Sequence, residues 1–201
     1  MYHYAGNNPI SYSDPDGRNT KKSKDIYHDV LIVVATSNTT GSGQHAMMLY
    51  RDKTNTYNNI MVDASGSYAH SKGRTNNSPV LKRTSSYNVT LAEYVNYFRG
   101  QKNETLYIYK ITADPETIKK IAQAMNDVED DFEFLSCATT VSKVILNTKL
   151  FKGFKQTCFP KKIKNYFDQW IKDNKNNTDI SIELTKIDLM DKETKFDFGD
   201  Y

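Results

Sequence analysis

The sequence is short of most features that would place it quickly. Its 201 residues hold only two cysteines, Cys137 and Cys158, which excludes a disulfide-stapled scaffold and a zinc finger. They read as two free thiols in a reducing compartment, with one bridge between them as the alternative. No apolar run approaches the roughly 20 residues that cross a bilayer, so no membrane span is expected. The first residues lack the charged, apolar, small-residue order of a secretory signal; if the domain leaves its cell, something else is expected to carry it. Net charge is only +3, too little to announce nucleic acid. The lysines read as spread along the chain, a solvated surface rather than a phosphate-tracking stripe. There is no His-Asn-His pattern, no clustered carboxylates for paired metals and no zinc spacing.

What is present begins with two turn signals in residues 1–18, Asn7-Asn8-Pro9 and Asp14-Pro15-Asp16-Gly17, around a short aromatic-containing extended piece. This is a strand-turn fragment with no partner strands of its own, and it is expected to be mobile. The stretch YAGNNPISYSDPDG resembles the closing motif of the Rhs/YD-repeat shell, written Y-x-Y-x-x-N-N-P-x-x-x-x-D-P-x-G. The resemblance implies that residues 1–18 are the tail of a large β-shell and that a toxin follows. It also implies delivery into a target cell by a secretion system, to act in cytoplasm or periplasm. A cognate immunity protein is the partner it implies in the producing cell.

A Lys-rich linker over residues 19–25 leads into a domain over residues 26–187, long enough to bury a core, with a flexible charged tail over residues 188–201. Ile26 to Thr36 is a β-branched run and predicts a buried strand. Gln44 to Arg51, Asn59 to Ala64, Thr105 to Thr112 and the alternating Ile180, Ile182 and Leu184 predict four more. Ser65 to Asn88 predicts a long polar loop. Thr90 caps a helix carrying Leu91, Tyr94, Val95 and Phe98, and Gly100 ends it. Asp114-Pro115-Glu116 opens a second helix, Ser136 to Leu146 forms a third, and Pro160 opens a fourth with Ile163, Tyr166, Phe167, Trp170 and Ile171 on one face. The fold class is α+β.

The chemistry centres on Cys137. With Ser136 as cap, Cys137 is the first helical residue, where unpaired N–H groups favour a thiolate and can hold an oxyanion. The competing reading is a small buried hydrophobe, although the first residue of a helix suits a core side chain poorly. Cys158 has no such setting. A thiolate needs a base, and of His3, His28, His45 and His70 only His45 opens a strand after a Gly/Ser loop; strand alternation puts His45, Met47 and Leu49 on one face. Asp63 ends the next strand and reads two ways, as the group that orients His45 or as a turn residue ahead of Ser65-Gly66. The order His, Asp, Cys reverses the Cys-first order of papain. A leading D-V-L-I-V strand, H-A-x-x-L-Y, a polar residue ending the next strand and a late F-x-x-x-C-A-x-x-V-S-K helix together resemble the circularly permuted papain-like enzymes. That branch is the NlpC-type amidase and lecithin:retinol acyltransferase-like group, which usually has Asn and an aromatic where Ser136 and Thr140 stand here. The resemblance implies a papain-like permuted fold, a small mostly antiparallel sheet with packed helices. It also implies Cys137 as nucleophile, His45 as base and Asp63 as its orienting partner.

Three functions compete. The first is a Cys–His(–Asp) thiol hydrolase (peptidase or amidase) or acyltransferase, working through a thioester on a protein, peptide or acyl substrate. It needs no metal or organic cofactor, and no nucleic-acid partner is expected. The second is a nuclease toxin, a common payload behind this junction. The third is a non-enzymatic binding module in which Cys137 and His45 are structural.

Overall fold

Val30 to Val34 are all buried, and alternate residues face opposite sides of one sheet. The computed structural model describes residues 12–13, 21–22, 24–64, 68, 71, 80–82, 90–128 and 137–191. Its main sheet has six strands, all paired antiparallel, in the order β6-β5-β4-β3-β7-β8. They are β3 (His28–Ser37), β4 (Gly43–Asp52), β5 (Ile60–Val62), β6 (Val80–Lys82), β7 (Glu104–Ala113) and β8 (Ile180–Asp188). The first two strands, β1 (Tyr12–Ser13) and β2 (Lys21–Lys22), form a separate ribbon. The Tyr12–Ser13 piece thus finds its partner strand in the linker, where the sequence pattern had offered none.

The central strand β3 explains the absence of simple polar–apolar alternation. Val30, Ile32 and Val34 face one core with Ala46, Met48, Val62, Tyr109 and Ile111, while Leu31, Val33 and Ala35 face the other with Met47, Leu49, Met61, Leu106 and Ile108. A strand covered on both faces can be apolar throughout, and each buried Val, Leu or Ile contributes roughly 1.5–3 kcal/mol.

Three helices cover the first face through Ile121, Val141, Val144, Ile163 and Phe167. They are α2 (Pro115–Asn126), α3 (Cys137–Thr148) and α4 (Pro160–Asp173). The other face is covered by α1 (Leu91–Phe98), whose Leu91, Tyr94, Val95 and Phe98 are buried. The helix starts are local: Thr90 accepts from the Glu93 N–H, and Asp114 accepts from the Glu116 and Thr117 N–H groups ahead of Pro115. Gly100, at φ +72°, ends α1 and donates its N–H to the Leu189 carbonyl.

The α+β class holds. Two boundaries move. The polar stretch read as one long loop contains β6, whose three residues are too short to show a period. The domain end placed at residue 187 falls inside β8, and Leu189 is fully buried, so the fold includes residues 188–191. The charged remainder of the expected tail, residues 192–201, lies outside the described residues, as do Ser136, His3 and His70.

Candidate active site

The register of the sheet brings His45 to Asp63. His45, Met47 and Leu49 share a face of β4 by the two-residue period of a strand. Met61 of β5 pairs with Leu49, so Asp63, two residues on, falls on that face, diagonal to His45 and within side-chain reach. Their bond, His45 Nε2 to Asp63 Oδ1, is 2.5 Å. Asp63 is fully buried, and a buried carboxylate requires a partner of this kind.

Cys137 reaches the same point from the helical layer. It is the first residue of α3, and α3 packs on β4. The ladder between β4 and β5 ends at Met48 and Val62. Two residues beyond it, the Ala46 N–H donates to Cys137 Sγ at 3.4 Å. Cys137 is also a side-chain hydrogen-bond partner of His45. With Nε2 held by Asp63, Nδ1 is the ring nitrogen left for the sulfur. The three residues picked from the sequence therefore form one chain, carboxylate to imidazole to sulfur. Only a narrow face is open: His45 is 13% exposed and Cys137 6%.

The electrostatics follow from that order. Burial lowers the imidazole pKa, but hydrogen bonds to Asp63 and Cys137 and the negative charge on both outweigh it and raise His45 to about 10. At neutral pH the ring is an imidazolium. An imidazolium against a sulfur favours the thiolate, as do the Ala46 N–H and the first turn of α3. Tyr94 lies under the site in the α1 layer. Burial first, then the charges of Asp63, Glu104 and Cys137, raise its phenol well above the ordinary range, so it stays neutral.

The other candidates fall elsewhere. Cys158 is exposed, and neither cysteine is in a disulfide. His28 sits at the far end of the β3–β4 hairpin, seven strand residues from Ala35, the residue paired with His45, or about 23 Å away. There its Nδ1 meets Asp25 at 2.8 Å and its ring stacks on Tyr50. No cluster of three metal-ligating side chains occurs among the described residues.

Two features were not read from the sequence. The Ala46 N–H is a backbone donor and leaves no residue signal. Gly43 looked like loop flexibility but marks a close approach: a Cβ there would lie 2.5 Å from the Lys161 backbone N, in the first turn of α4. No protein-family model, curated protein or solved structure matches the chain.

Proposed function

We propose that this chain is a thiol enzyme, a Cys–His–Asp peptidase or amidase-like hydrolase or acyltransferase, carried as the toxin payload of an Rhs/YD-repeat protein. The observation that carries the chemistry is His45 held between the Asp63 carboxylate and the Cys137 sulfur at a helix start. The order of the three residues along the chain, the antiparallel sheet and the Cys137 helix packed on the His45 strand support a permuted papain-like fold. The delivered-toxin part rests on the junction motif, and with it the cognate immunity protein and action inside a target cell.

The geometry suits a two-step reaction. The Cys137 thiolate attacks a carbonyl carbon, and the first-turn N–H groups of α3 hold the oxyanion that forms. Collapse expels the amine or alcohol, which takes the proton from His45, and leaves an acyl-thioester on Cys137. Neutral His45 then draws a proton from water or from an acceptor nucleophile. That nucleophile attacks the thioester, the acyl product leaves, and the thiolate–imidazolium pair is restored. Asp63 holds the ring in place throughout and offsets its charge. No step calls for a metal or organic cofactor.

The test is growth inhibition by the wild-type domain expressed in a susceptible cell, against Cys137→Ala and His45→Ala. Cys137→Ala should be soluble, folded and harmless. His45→Ala removes the partner of the buried Asp63 and should be harmless but less stable, so its folding is verified by circular dichroism. Mass spectrometry of treated extract should identify the bond broken or the acyl group moved. Full toxicity in both would overturn the thiol mechanism. Metal-dependent degradation of plasmid or RNA by the purified domain would establish a nuclease instead. Labelling of Cys137 by an acyl probe no faster than Cys158 would favour a binding module.

A further inference from the structure

Lysine is dense in the helices beside the site. After an acidic run of five carboxylates in residues 127–133, residues 137–167 contain seven lysines and no aspartate or glutamate. Most are solvated, but Lys161 and Lys162 have a fixed place. The segment from Thr157 to Lys162 is tied down at both ends. The Ser142 hydroxyl donates to the Thr157 carbonyl at 3.0 Å and accepts the Thr157 N–H at 3.3 Å. The Pro160–Lys161 backbone lies against Gly43. Ser142 is five residues from the sulfur on α3, and Gly43 is two residues from the imidazole on β4. The segment therefore runs as a rim from the helix of the nucleophile to the strand of the base.

Besides Cys158, three side chains on that rim face solvent. Phe159 is 57% exposed, with Lys162 Nζ 5.2 Å from its ring centre. Lys161 and Lys162 are exposed and form no ion pair among the described residues, whereas Lys164, one turn on, is held by Asp168 at 2.6 Å. Two unpaired cations beside an exposed ring, fixed next to a buried nucleophile, make a recognition surface.

We propose that this rim selects an acidic polypeptide segment, with a carboxylate side chain near the scissile carbonyl held by Lys161 and Lys162 and an apolar neighbour resting on Phe159. The proposal rests on the thiol-enzyme reading and adds its substrate class. A bilayer fits less well: Phe159 is the one large apolar side chain exposed between Lys149 and Asp173, and a single ring is too little apolar area to anchor a protein on lipid.

The experiment compares alkylation of Cys137 by iodoacetate, an anion, and by neutral iodoacetamide, quantified by peptide mass spectrometry. It uses the full chain as wild type, as Lys161→Glu/Lys162→Glu, and as Lys172→Glu/Lys175→Glu at the other end of α4. Acid in the first turn of a helix suits its dipole, so the rim variant should fold, as circular dichroism would verify. In wild type the iodoacetate-to-iodoacetamide ratio should exceed that of the neutral thiol N-acetylcysteinamide. The rim variant should lower it about fivefold at low salt, and the distal variant should leave it unchanged. A hexaglutamate peptide should protect Cys137, and hexaglutamine should not.

A ratio equal to N-acetylcysteinamide, or one that the rim variant does not move, overturns the substrate class while leaving the thiol enzyme standing. Slow reaction of Cys137 with both reagents, no faster than Cys158, overturns the thiol enzyme and the substrate class with it. Protection by phosphatidylserine vesicles and not by hexaglutamate overturns the polypeptide in favour of lipid.

Discussion

Buried carboxylates stand at both ends of the β3–β4 hairpin, Asp29 and Asp52 at one and Asp63, just past β5, at the other, and they face different fates. At one end Asp29 is fully buried and satisfied: Arg51 meets it through two bonds of 2.7 and 2.8 Å, and Lys53 Nζ lies 3.2 Å away. Next to it Asp52 accepts from the Thr54 N–H and hydroxyl, the Asn55 N–H and the Asn58 amide. At the other end Asp63 is as buried as Asp29, but its cation is His45, which can lose its proton, and beyond His45 stands the Cys137 sulfur. A guanidinium is permanently charged, so the Asp29 end can only hold. An imidazole can give and take a proton, as the proposed reaction requires of the Asp63 end. Burial and pairing alone do not separate structure from chemistry; the identity of the cation does.

The sharpest way to break this contrast is to remove the reactive atom. Cys137→Ala should cost at least about 10³-fold in thioester turnover and leave the urea midpoint close to wild type. Arg51→Ala should do the opposite. It leaves the buried Asp29 carboxylate with Lys53 as its cation in place of the two Arg51 bonds and should cost up to about 3 kcal/mol of stability, read from urea denaturation, while activity per folded molecule stays at the wild-type level. A loss of activity in the folded Arg51 variant would mean that the two ends are not independent.

Asp63→Asn should fall between them, lowering kcat/KM roughly 10–100-fold. It should also pull the alkaline limb of the rate profile below its wild-type place near pH 10, because a neutral amide supports the imidazolium less. The pH dependence of stability has opposite signs at the two ends. The raised pKa of His45 means that its stabilisation is complete below about 6.5, the ordinary histidine value, and is lost as pH climbs through about 10. Burial pushes the Asp52 carboxyl up, but its hydrogen bonds from Thr54, Asn58 and Asn55 outweigh that and hold it below its ordinary range. Its stabilisation is present above that range and lost in acid. Denaturant midpoints measured on both sides of neutrality would show the two losses separately.

The smallest effect concerns Thr140, buried in α3 with a hydroxyl that has no partner among the described residues. Thr140→Val removes an unsatisfied group at nearly constant shape and should be neutral or stabilising by up to about 1 kcal/mol. A large loss of activity there would give the hydroxyl a part in the site.

Much of this was legible beforehand because it is local. The β-branched run of β3 and the caps Thr90 and Asp114 depend on neighbours in sequence. Cys137, His45 and Asp63 were picked by type and position, and the sheet register then supplied the contact between the last two. What escaped was non-local or too short. β6 has three residues and no period. Leu189 looks like part of a charged tail until its carbonyl is seen to accept the Gly100 N–H across the sheet end. The lysines were read as spread out, yet Lys161 and Lys162 are distinguished by where their backbone is pinned, a fact carried by Gly43.

Gly43 also bears on how a mutational scan of this domain would look. Gly43 has no side chain to donate, accept or attack, and its φ is not one reserved for glycine. Still, any Cβ there would push the start of α4 off the strand that carries His45. Alanine alone should be enough to score as inactive. Ranked by intolerance, position 43 would stand beside Cys137 and His45, a false positive for chemistry produced by the thickness of one methyl group.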